Sequence, residues 1–252
     1  MNLFSVKDKI ILITGAGRGI GLALARGFRE AGAMVCGSVR SPEARARICR
    51  ELEIEEEGVF IGDITDCSFQ EDMVREIIRR HGRIDVLVNN AGFTRSNPAE
   101  TYPLEDWNRT LDVNLKAVFQ LCQVVGREMI KQKQGAIINV TSIGSLTGFP
   151  ENPAYLASKG GLRLLTKGLA RDWARHGIRV NNLCPGYIKT DMTMQGYNDP
   201  VKYAERINRV LIKRFGEPED LIGPAIFLAS EASGYITGAD LVVDGGWLAN
   251  GL

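Results

Sequence analysis

The chain contains 252 residues, of which 44% are hydrophobic, and this length is enough to bury a sizeable core. Its 31 Lys and Arg residues almost balance its 30 Asp and Glu residues, so the formal net charge of +1 gives little attraction to nucleic acid or an acidic membrane surface. The composition therefore favours small-molecule ligands over nucleic-acid or membrane partners.

Cysteine and histidine are few and widely spaced. No two cysteines form a C-x-x-C pair, so we expect no metal site and a reducing compartment, the cytoplasm. The first residues show no apolar run typical of a signal peptide, and no stretch reaches about eighteen consecutive apolar residues. We expect one domain over residues 1–252, without a membrane segment. The cysteines and histidines are Cys36, Cys49, Cys67, Cys122, Cys184, His81 and His176.

The first predicted elements are a strand, a glycine-rich turn and a helix. Residues 10–13 are apolar, segment 14–21 contains four glycines, and a helical pattern follows over 22–28. Glycines let a ligand approach the backbone closely, and a helix amino end presents free N–H groups to a phosphate. The glycines do not match the strict G-x-G-x-x-G spacing. We predict a dinucleotide-binding turn, with a purely structural turn as the alternative.

Short apolar runs alternate with amphipathic stretches along the rest of the chain. Ser41 and Pro42 predict the start of the second helix, and Gly177 predicts the end of a helix that begins near residue 153. Seven strands separated by helical crossovers predict a parallel, doubly wound α/β sheet with helices on both faces. The predicted strands cover residues 10–13, 33–39, 58–61, 84–88, 136–140, 178–183 and 241–243.

Polar residues and glycine follow the predicted strands where those strands end. Asp63 follows the third strand, Asn90 the fourth, Ser142 the fifth and Gly186 the sixth. In a parallel sheet of this kind, ligands bind beyond the carboxyl ends of the strands. We therefore expect these residues to form one site.

Tyr155 and Lys159 are four residues apart, which places a phenol and an ammonium on one face of a helix. A tyrosine pKa of about 10 is too high for a general base near neutrality, but a fixed cation within about 5 Å lowers it. Alone, the pair is equally compatible with a packed tyrosine beside a solvated lysine. Together with the glycine turn and the strand-end residues, it predicts proton transfer.

In their order along the chain, these motifs resemble those of the short-chain dehydrogenase/reductase family over nearly the whole sequence. The resemblance implies a Rossmann-like fold and an NAD(P)-dependent oxidoreductase that interconverts a secondary alcohol and a ketone. The motifs are Thr14-Gly15-x3-Gly19-Ile20-Gly21, Asn89-Asn90-Ala91-Gly92, Asn114, Ser142, Tyr155-x3-Lys159, and Pro185-Gly186 with Thr190.

The resemblance implies that Asn114, Ser142, Tyr155 and Lys159 are the catalytic residues. Tyr155 would transfer the hydroxyl proton, and Lys159 would lower the tyrosine pKa and bind the nicotinamide ribose. Ser142 would polarise the substrate oxygen. Asn114 would hold a water that links Lys159 to solvent, and local bonding within its own helix is the alternative. A nucleophilic Ser142 is the rival interpretation, but the sequence around it lacks a G-x-S-x-G elbow.

Cofactor choice depends on the end of the second predicted strand, where no acidic residue is present. An acid there would bind the ribose 2′-hydroxyl of NAD and repel the 2′-phosphate of NADP. Arg40 follows the strand instead and Arg18 lies in the glycine turn, so we predict a preference for NADP(H), with NAD(H) as the alternative. Arg40 could instead stack on adenine or point to solvent. Asp63 would meet the adenine, or would cap a helix. The implied cofactor contacts are Gly15, Arg18, Gly19, Ile20, Arg40, Asp63, Ile64, Asn90, Ala91, Gly92, Tyr155, Lys159, Pro185, Gly186, Ile188 and Thr190.

Segments 93–97, 143–152 and 187–203 correspond to those that read the substrate in the family. They combine apolar and polar side chains, which suits a small polyhydroxylated or oxo compound better than a steroid. The segment from 221 to 249 is similar to sugar-acid dehydrogenases of the gluconate 5-dehydrogenase and 2-deoxy-gluconate 3-dehydrogenase type, so we predict a sugar, polyol or sugar-acid substrate. The expected contacts are Ser142, Gly144, Asn152, Tyr155 and Tyr187, within a lining that includes Phe93, Arg95, Leu146, Phe149, Glu151, Met192 and Gln195.

Two other functions are compatible with parts of the sequence. A 3-oxoacyl-(acyl-carrier-protein) reductase would use Arg127 and Arg171 to meet an acidic carrier protein, although both could be ordinary surface charges. A non-catalytic regulator that senses the cofactor is the alternative from another class, but such proteins tend to lose the catalytic tyrosine or lysine. Family resemblance also implies a homotetramer, formed through helices predicted over 104–131 and 153–176 and through the C-terminal segment.

Overall fold

The computed structural model describes the backbone of residues 2–250, and it describes their side chains except at positions 195, 196 and 202. The strands are β1 (Ile10–Thr14), β2 (Met34–Val39), β3 (Val59–Ile61), β4 (Val86–Asn89), β5 (Gly135–Val140), β6 (Ile178–Pro185) and β7 (Asp240–Val243). They form a single parallel sheet in the order β3-β2-β1-β4-β5-β6-β7. The predicted doubly wound sheet of seven strands is therefore confirmed.

Helices cover both faces of this sheet. The described helices are α1 (Gly19–Glu30), α2 (Pro42–Leu52), α3 (Cys67–His81), α4 (Leu104–Leu111), α5 (Ala117–Gln132), α6 (Pro153–Trp173), α7 (Met194–Tyr197), α8 (Pro200–Arg209) and α9 (Ile222–Ala229). The start of α2 is confirmed, because the Ser41 hydroxyl accepts a hydrogen bond from the Ala44 N–H at 3.3 Å. The helix that begins at residue 153 ends in a 3₁₀ turn before Gly177, whose φ of 73° stops it as predicted.

The central strands β1 and β5 are rich in apolar residues because both of their faces are buried. Ile11 and Ile13 of β1 pack in one core together with Leu24 of α1. The alternate residues of the same strand pack in a second core with α5. The two cores hold α1 and α5 firmly on opposite faces, so that the loops at the carboxyl edge of the sheet have a rigid support.

The helical segment predicted over 104–131 is interrupted. A π-helical turn (Asp112–Lys116) separates α4 from α5, and Asn114 lies within it, fully buried. A π turn shifts the phase of the side chains that follow it, which a helical sequence pattern does not reveal. Within residues 2–250, none of the helices combines the length and the apolar character needed to cross a membrane.

Candidate active site

A cleft of about 1390 Å³ opens at the carboxyl edge of the sheet, where β1 and β4 lie side by side but lead to opposite edges. This is the position at which doubly wound sheets bind ligands. All sixteen residues predicted to contact a cofactor line the cleft, and so does Ser142. A smaller cleft of about 600 Å³, at the opposite edge beside Lys9 and Ile178, contains none of the predicted site residues.

The glycine turn brings the amino end of α1 to the floor of the cleft. Gly15 has a φ of 66°, and a Cβ atom at this position would lie 3.0 Å from the Cα atom of Ala91. A Cβ atom at Gly21 would lie 2.3 Å from the carbonyl oxygen of Gly15. Arg18 occupies the N-cap of α1 and its side chain caps no N–H group, so these N–H groups remain free to bind an anion.

Hydrogen bonds tie this turn to the end of β4. The Thr14 hydroxyl oxygen accepts hydrogen bonds from the N–H groups of Asn90 and Ala91, both at 3.0 Å. The Asn90 amide donates in return to the carbonyl oxygens of Thr14 at 2.9 Å and Gly15 at 3.2 Å. Two of the predicted motifs therefore form one rigid unit on the floor of the cleft.

Ser142 and Tyr155 meet at the substrate end of the cleft. Burial raises the pKa of the Tyr155 phenol, and a hydrogen bond with Ser142 opposes that effect. Tyr155 nevertheless keeps part of its surface open to the cleft. The Ser142 oxygen also accepts a hydrogen bond from the Gly144 N–H at 3.0 Å, which fixes the hydroxyl in place. These two hydroxyl groups are suited to hold and protonate a carbonyl oxygen.

Lys159 is buried beside this pair, with 4% of its surface exposed. Its Nζ atom donates to the carbonyl oxygen of Val140 at 2.7 Å and lies 5.8 Å from the centroid of the Tyr155 ring. Burial lowers the pKa of Lys159 to about 8. A hydrogen bond with Ser142 lowers the pKa of Tyr155. The predicted lowering of the same pKa by Lys159 stays a prediction.

Asn114 connects the segment after β4 to α6. Its side-chain oxygen accepts a hydrogen bond from the Phe93 N–H at 2.7 Å. Its amide nitrogen donates to the Phe93 carbonyl at 2.8 Å and to the Ser158 hydroxyl at 3.1 Å. Local bonding within its own helix, the alternative interpretation, is therefore wrong, because these partners lie 21 and 44 residues away. A water held by Asn114 stays a prediction.

Basic side chains surround the end of β2. Arg40 and Arg47 line the cleft together with Ser41, and Glu43 is the acidic side chain beside them. The Arg18 guanidinium forms an exposed ion pair with Asp191 at 3.0 Å. This end of the cleft is therefore rich in donors for an anionic group.

Asp63 lines the cleft and does not cap the helix that follows. Its Oδ1 atom accepts hydrogen bonds from the Thr65 N–H at 2.9 Å and the Thr65 hydroxyl at 2.8 Å. The bond from the Thr65 N–H is the main cause that lowers the pKa of Asp63, and Arg40 contributes less. The N-cap of α3 is Asp66, which accepts from the Ser68 N–H at 2.9 Å. The segment 63–66 therefore does contain a helix cap, but the capping residue is Asp66 and not Asp63.

Three of the five residues predicted to bind substrate lie outside the wall of the cleft. The Asn152 side-chain oxygen accepts hydrogen bonds from Thr94 at 3.1 Å and Ser96 at 3.2 Å, so Asn152 joins two loops instead. Gly144 is covered, because a Cβ atom there would lie 2.8 Å from the Phe149 ring. The third, Tyr187, stacks on the Phe215 ring at 5.6 Å between centroids. The side chain of Gln195 lies outside the described residues.

The cleft also contains residues that the sequence analysis missed. Arg47 comes from α2, and a group of polar residues comes from α4 and the start of the π turn. The spacing of that group is three or four residues, the spacing of one helical face, and this was the signal available in the sequence. Its members are Glu105, Asn108, Arg109 and Asp112.

The chain is similar to known proteins over nearly its whole length. A family model described as enoyl-(acyl carrier protein) reductase matches residues 15–248. The chain is 38% identical over 251 residues to 2-dehydro-3-deoxy-D-gluconate 5-dehydrogenase of Dickeya dadantii, covering 99% of each protein. It is 39% identical over 244 residues to 3-oxoacyl-(acyl-carrier-protein) reductase of Thermotoga maritima, covering 96% of this chain and 98% of that protein.

A solved structure shares the fold over the same extent. The crystal structure of a gluconate 5-dehydrogenase from Burkholderia cenocepacia J2315, in complex with NADP and tartrate, superposes with a TM-score of 0.93. It is 39% identical, and 98% of both chains is covered. The chain belongs to the short-chain dehydrogenase/reductase family, as its motifs predicted. It is an oxidoreductase that acts on CH–OH groups and interconverts a secondary alcohol and a ketone.

Proposed function

We propose that this oxidoreductase uses NADP(H) and acts on the hydroxyl or keto group of a sugar acid. The observation that carries the proposal is that the Ser142 and Tyr155 side chains line the same cleft as the glycine turn. Proton transfer and anion binding are thereby available at the two ends of one cleft. When bound, a nicotinamide dinucleotide supplies or accepts the hydride.

The residues present fit a dinucleotide. Positions 15 and 21 have no room for a side chain, and the free N–H groups at the start of α1 suit a pyrophosphate. Asp63 and Ile64 would hold the adenine, and the residues after β4, β5 and β6 would hold the nicotinamide half. The set that would bind the cofactor is Gly15, Arg18, Gly19, Ile20, Arg40, Asp63, Ile64, Asn90, Ala91, Gly92, Tyr155, Lys159, Pro185, Gly186, Ile188 and Thr190.

Tyr155 acts as the general acid in reduction. Burial keeps the pKa of its phenol above the ordinary value, so the group is protonated near neutrality and can donate to a carbonyl oxygen. Ser142 holds that oxygen and stabilises the phenolate that the transfer leaves behind. In oxidation, Tyr155 must first lose its proton, so we expect this direction to accelerate as the pH rises.

Lys159 and Asn114 support this chemistry. With a pKa of about 8, Lys159 carries its charge over most of the neutral range and loses it in mildly alkaline solution. Asn114 forms hydrogen bonds with Phe93, in the loop after β4, and with Ser158, in the helix α6 that carries Tyr155 and Lys159. We assign Lys159 to binding the nicotinamide ribose and Asn114 to holding a water beside Lys159.

The preference for NADP(H) is supported by charge. Arg40 follows β2, which contains no acidic residue, and Arg47 of α2 lines the same cleft; the related gluconate 5-dehydrogenase of Burkholderia cenocepacia binds NADP. Loss of either guanidinium should raise the KM for NADPH roughly 10-fold or more, as expected for a charged hydrogen bond. The KM for NADH should stay within about threefold, which makes NADH the internal control. Higher kcat/KM with NADH than with NADPH, unchanged in Arg40→Ala and Arg47→Ala, would contradict this preference.

The sugar-acid class is supported by the relatives. Gluconate 5-dehydrogenase of Gluconobacter oxydans and the Dickeya dadantii enzyme are both named for sugar acids, and the Burkholderia cenocepacia structure holds tartrate, a hydroxy acid. The second candidate function is reduction of a 3-oxoacyl thioester, which the Thermotoga maritima relative supports. Arg127 and Arg171 are exposed, as docking of a carrier protein requires. The regulator alternative is not supported, because the relatives are oxidoreductases.

A substrate panel separates the two candidates. NADPH consumption is followed with 5-keto-D-gluconate and an acetoacetyl thioester, and NADP⁺ reduction with D-gluconate and 2-dehydro-3-deoxy-D-gluconate. We expect kcat/KM for at least one sugar acid to exceed that for the thioester by at least about 10-fold. A thioester preference that is lost in Arg127→Ala together with Arg171→Ala would instead support the reductase of acyl carriers.

We also propose a homotetramer in the cytoplasm. Leu164 of α6 is 70% exposed and Phe119 of α5 is 38% exposed, and apolar side chains on these two helices suit a subunit interface. The cysteines are free, as a reducing compartment requires. Light scattering coupled to size exclusion should give about four chain masses, and Leu164→Glu should reduce that number.

A further inference from the structure

Aromatic side chains pack behind the catalytic loop, away from the glycine turn. Ile143 directly follows Ser142 and is buried in a group with Val210 and Trp247, against which Tyr187 packs. The Tyr187 ring is edge-on to the Trp247 ring at 6.1 Å between centroids. Tyr187 and Trp247 form an aromatic wall. This wall packs against Ile143, the sequence neighbour of Ser142, which would hold the reacting oxygen.

Arg206 of α8 covers this wall. Its guanidinium carbon lies 4.9 Å from the centroid of the Tyr187 ring, and the side chain is half-buried. Among the described residues, no carboxylate lies within 4.0 Å of its nitrogens, whereas Arg214 nearby is paired with Asp220. The N–H groups of a guanidinium lie in its plane, so a guanidinium that stacks on an aromatic ring can still donate them. Two of these N–H groups match the two oxygens of a carboxylate.

The same wall contains an unpartnered donor. In the described part of the chain, two buried side-chain atoms have no hydrogen-bond partner, and one of them is Trp247 Nε1. The other, Gln70 Oε1, is an acceptor, and its residue lies on α3. A buried N–H without a partner is costly, and this cost is relieved when an acceptor binds to it. Two donors that need an acceptor, the Arg206 guanidinium and the Trp247 N–H, thus lie on one aromatic wall.

We propose that Arg206, held on Tyr187, binds the carboxylate of a hydroxy-acid or oxo-acid substrate, with the Trp247 N–H as a second donor. The inference rests on the proposed function and deepens it, because it names the group that distinguishes an acid from a neutral polyol or an acyl thioester. Arg206 determines specificity and takes no part in the proton transfer at Tyr155. Its loss therefore affects substrate binding far more than turnover at saturation.

The test compares an acid with a neutral analogue. The kcat and KM of Arg206→Gln are measured with NADP⁺ for D-gluconate and for D-glucitol, which lacks the carboxylate. We expect the KM for D-gluconate to rise roughly 10- to 100-fold with kcat within about threefold, and the values for D-glucitol to stay unchanged. Competitive inhibition by tartrate should weaken by a similar factor, which provides a readout that needs no turnover of the acid.

Matched variants keep the test decisive. Lys213→Gln removes one positive charge from an exposed position after α8, where the ammonium donates to the Asn208 carbonyl, and the KM for D-gluconate should change by less than about threefold. Arg206→Lys retains the charge without the planar fork and should restore part of the loss. Trp247→Phe keeps a ring and removes the N–H, so a rise of about 3- to 10-fold is expected. Thermal unfolding and NADPH fluorescence verify that each variant is folded and binds cofactor.

Failure of the carboxylate subsite can be distinguished from failure of the proposed function. If the wild type oxidises D-gluconate and Arg206→Gln leaves its KM unchanged, or impairs D-glucitol equally, the carboxylate subsite is refuted while the proposed function stands. If the wild type turns over no sugar acid but reduces the acetoacetyl thioester, the proposed substrate class fails, and the subsite fails with it.

Discussion

Replacing Lys159 by Met should stabilise the protein while it impairs catalysis. The ammonium is 4% exposed, and its one described hydrogen bond goes to the Val140 carbonyl. Methionine has a similar length and an apolar side chain, so the variant removes the buried charge with little change in packing. An ionisable group placed in a poor environment for its charge is typical of functional sites.

The magnitude follows from the pKa of Lys159. Burial lowers this pKa from 10.5 to about 8. At about 1.4 kcal/mol per unit, the folded state loses about 3 kcal/mol by holding the charge. Loss of the bond to Val140 offsets about 1–2 kcal/mol of the gain in the variant. We therefore expect Lys159→Met to raise the free energy of unfolding by about 1–2 kcal/mol at pH 7.

The pH dependence gives the sharper test. Between pH 8 and 10.5 the unfolded chain binds more protons at Lys159 than the folded chain, so the wild type gains stability as the pH rises through this window. The difference in free energy of unfolding between variant and wild type should therefore fall by about 3 kcal/mol over this window, so that the variant becomes the less stable protein at high pH. Other titrating groups are common to both chains and cancel in the difference.

Denaturant unfolding at pH 7, 8, 9 and 10, at one protein concentration, measures this difference. Lys167→Met on the same helix is the control, because Lys167 is 45% exposed in its side chain and should give no gain. A Lys159→Met protein that is less stable than wild type at pH 7, by an amount that does not vary with pH, would refute the reasoning.

Three further predictions concern the catalytic hydroxyl, the glycine turn and the π turn. Ser142→Ala should lower kcat about 100- to 1000-fold. It should also move the alkaline rise in the oxidation rate to higher pH, because the hydrogen bond from Ser142 lowers the pKa of Tyr155. A pH profile of kcat measures both effects. Gly21→Ala should destabilise the fold by about 1–3 kcal/mol in denaturant unfolding and weaken NADPH binding, since the new Cβ atom would meet a carbonyl oxygen at 2.3 Å. The control is Gly168→Ala, whose new Cβ atom meets nothing within 4 Å and which should stabilise α6. Asn114→Ala should cost about 1–3 kcal/mol, because two backbone groups lose their partner, and an unchanged melting temperature would contradict this.

The sheet could be predicted from the sequence because its central strands are buried on both faces. Residues 10–13 are all apolar and residues 136–140 are apolar apart from Asn139, and seven predicted strands with helical segments between them allow few arrangements. The same topology brings the ends of the strands together, which explains why Asp63, Asn90 and Ser142 were predicted to share a site and line one cleft.

Other features depend on tertiary contacts that no local pattern records. Arg47 and Arg109 reach the cleft only because α2 and α4 pack at particular rotations, and the phase shift at Asn114 comes from a π turn. Asn152 has the chemistry of a substrate ligand, but Thr94 and Ser96 occupy its oxygen. The bond from Lys159 to Val140 likewise depends on the approach of α6 to β5.

The central claim is that the Tyr155 hydroxyl transfers the proton in the reaction. Tyr155→Phe removes this one oxygen and keeps the ring, and NADPH fluorescence titration should give a dissociation constant within about threefold of wild type. The account predicts that kcat then falls at least about 100-fold in both oxidation and reduction. Turnover within threefold of wild type, by a variant that binds NADPH equally well, would contradict it.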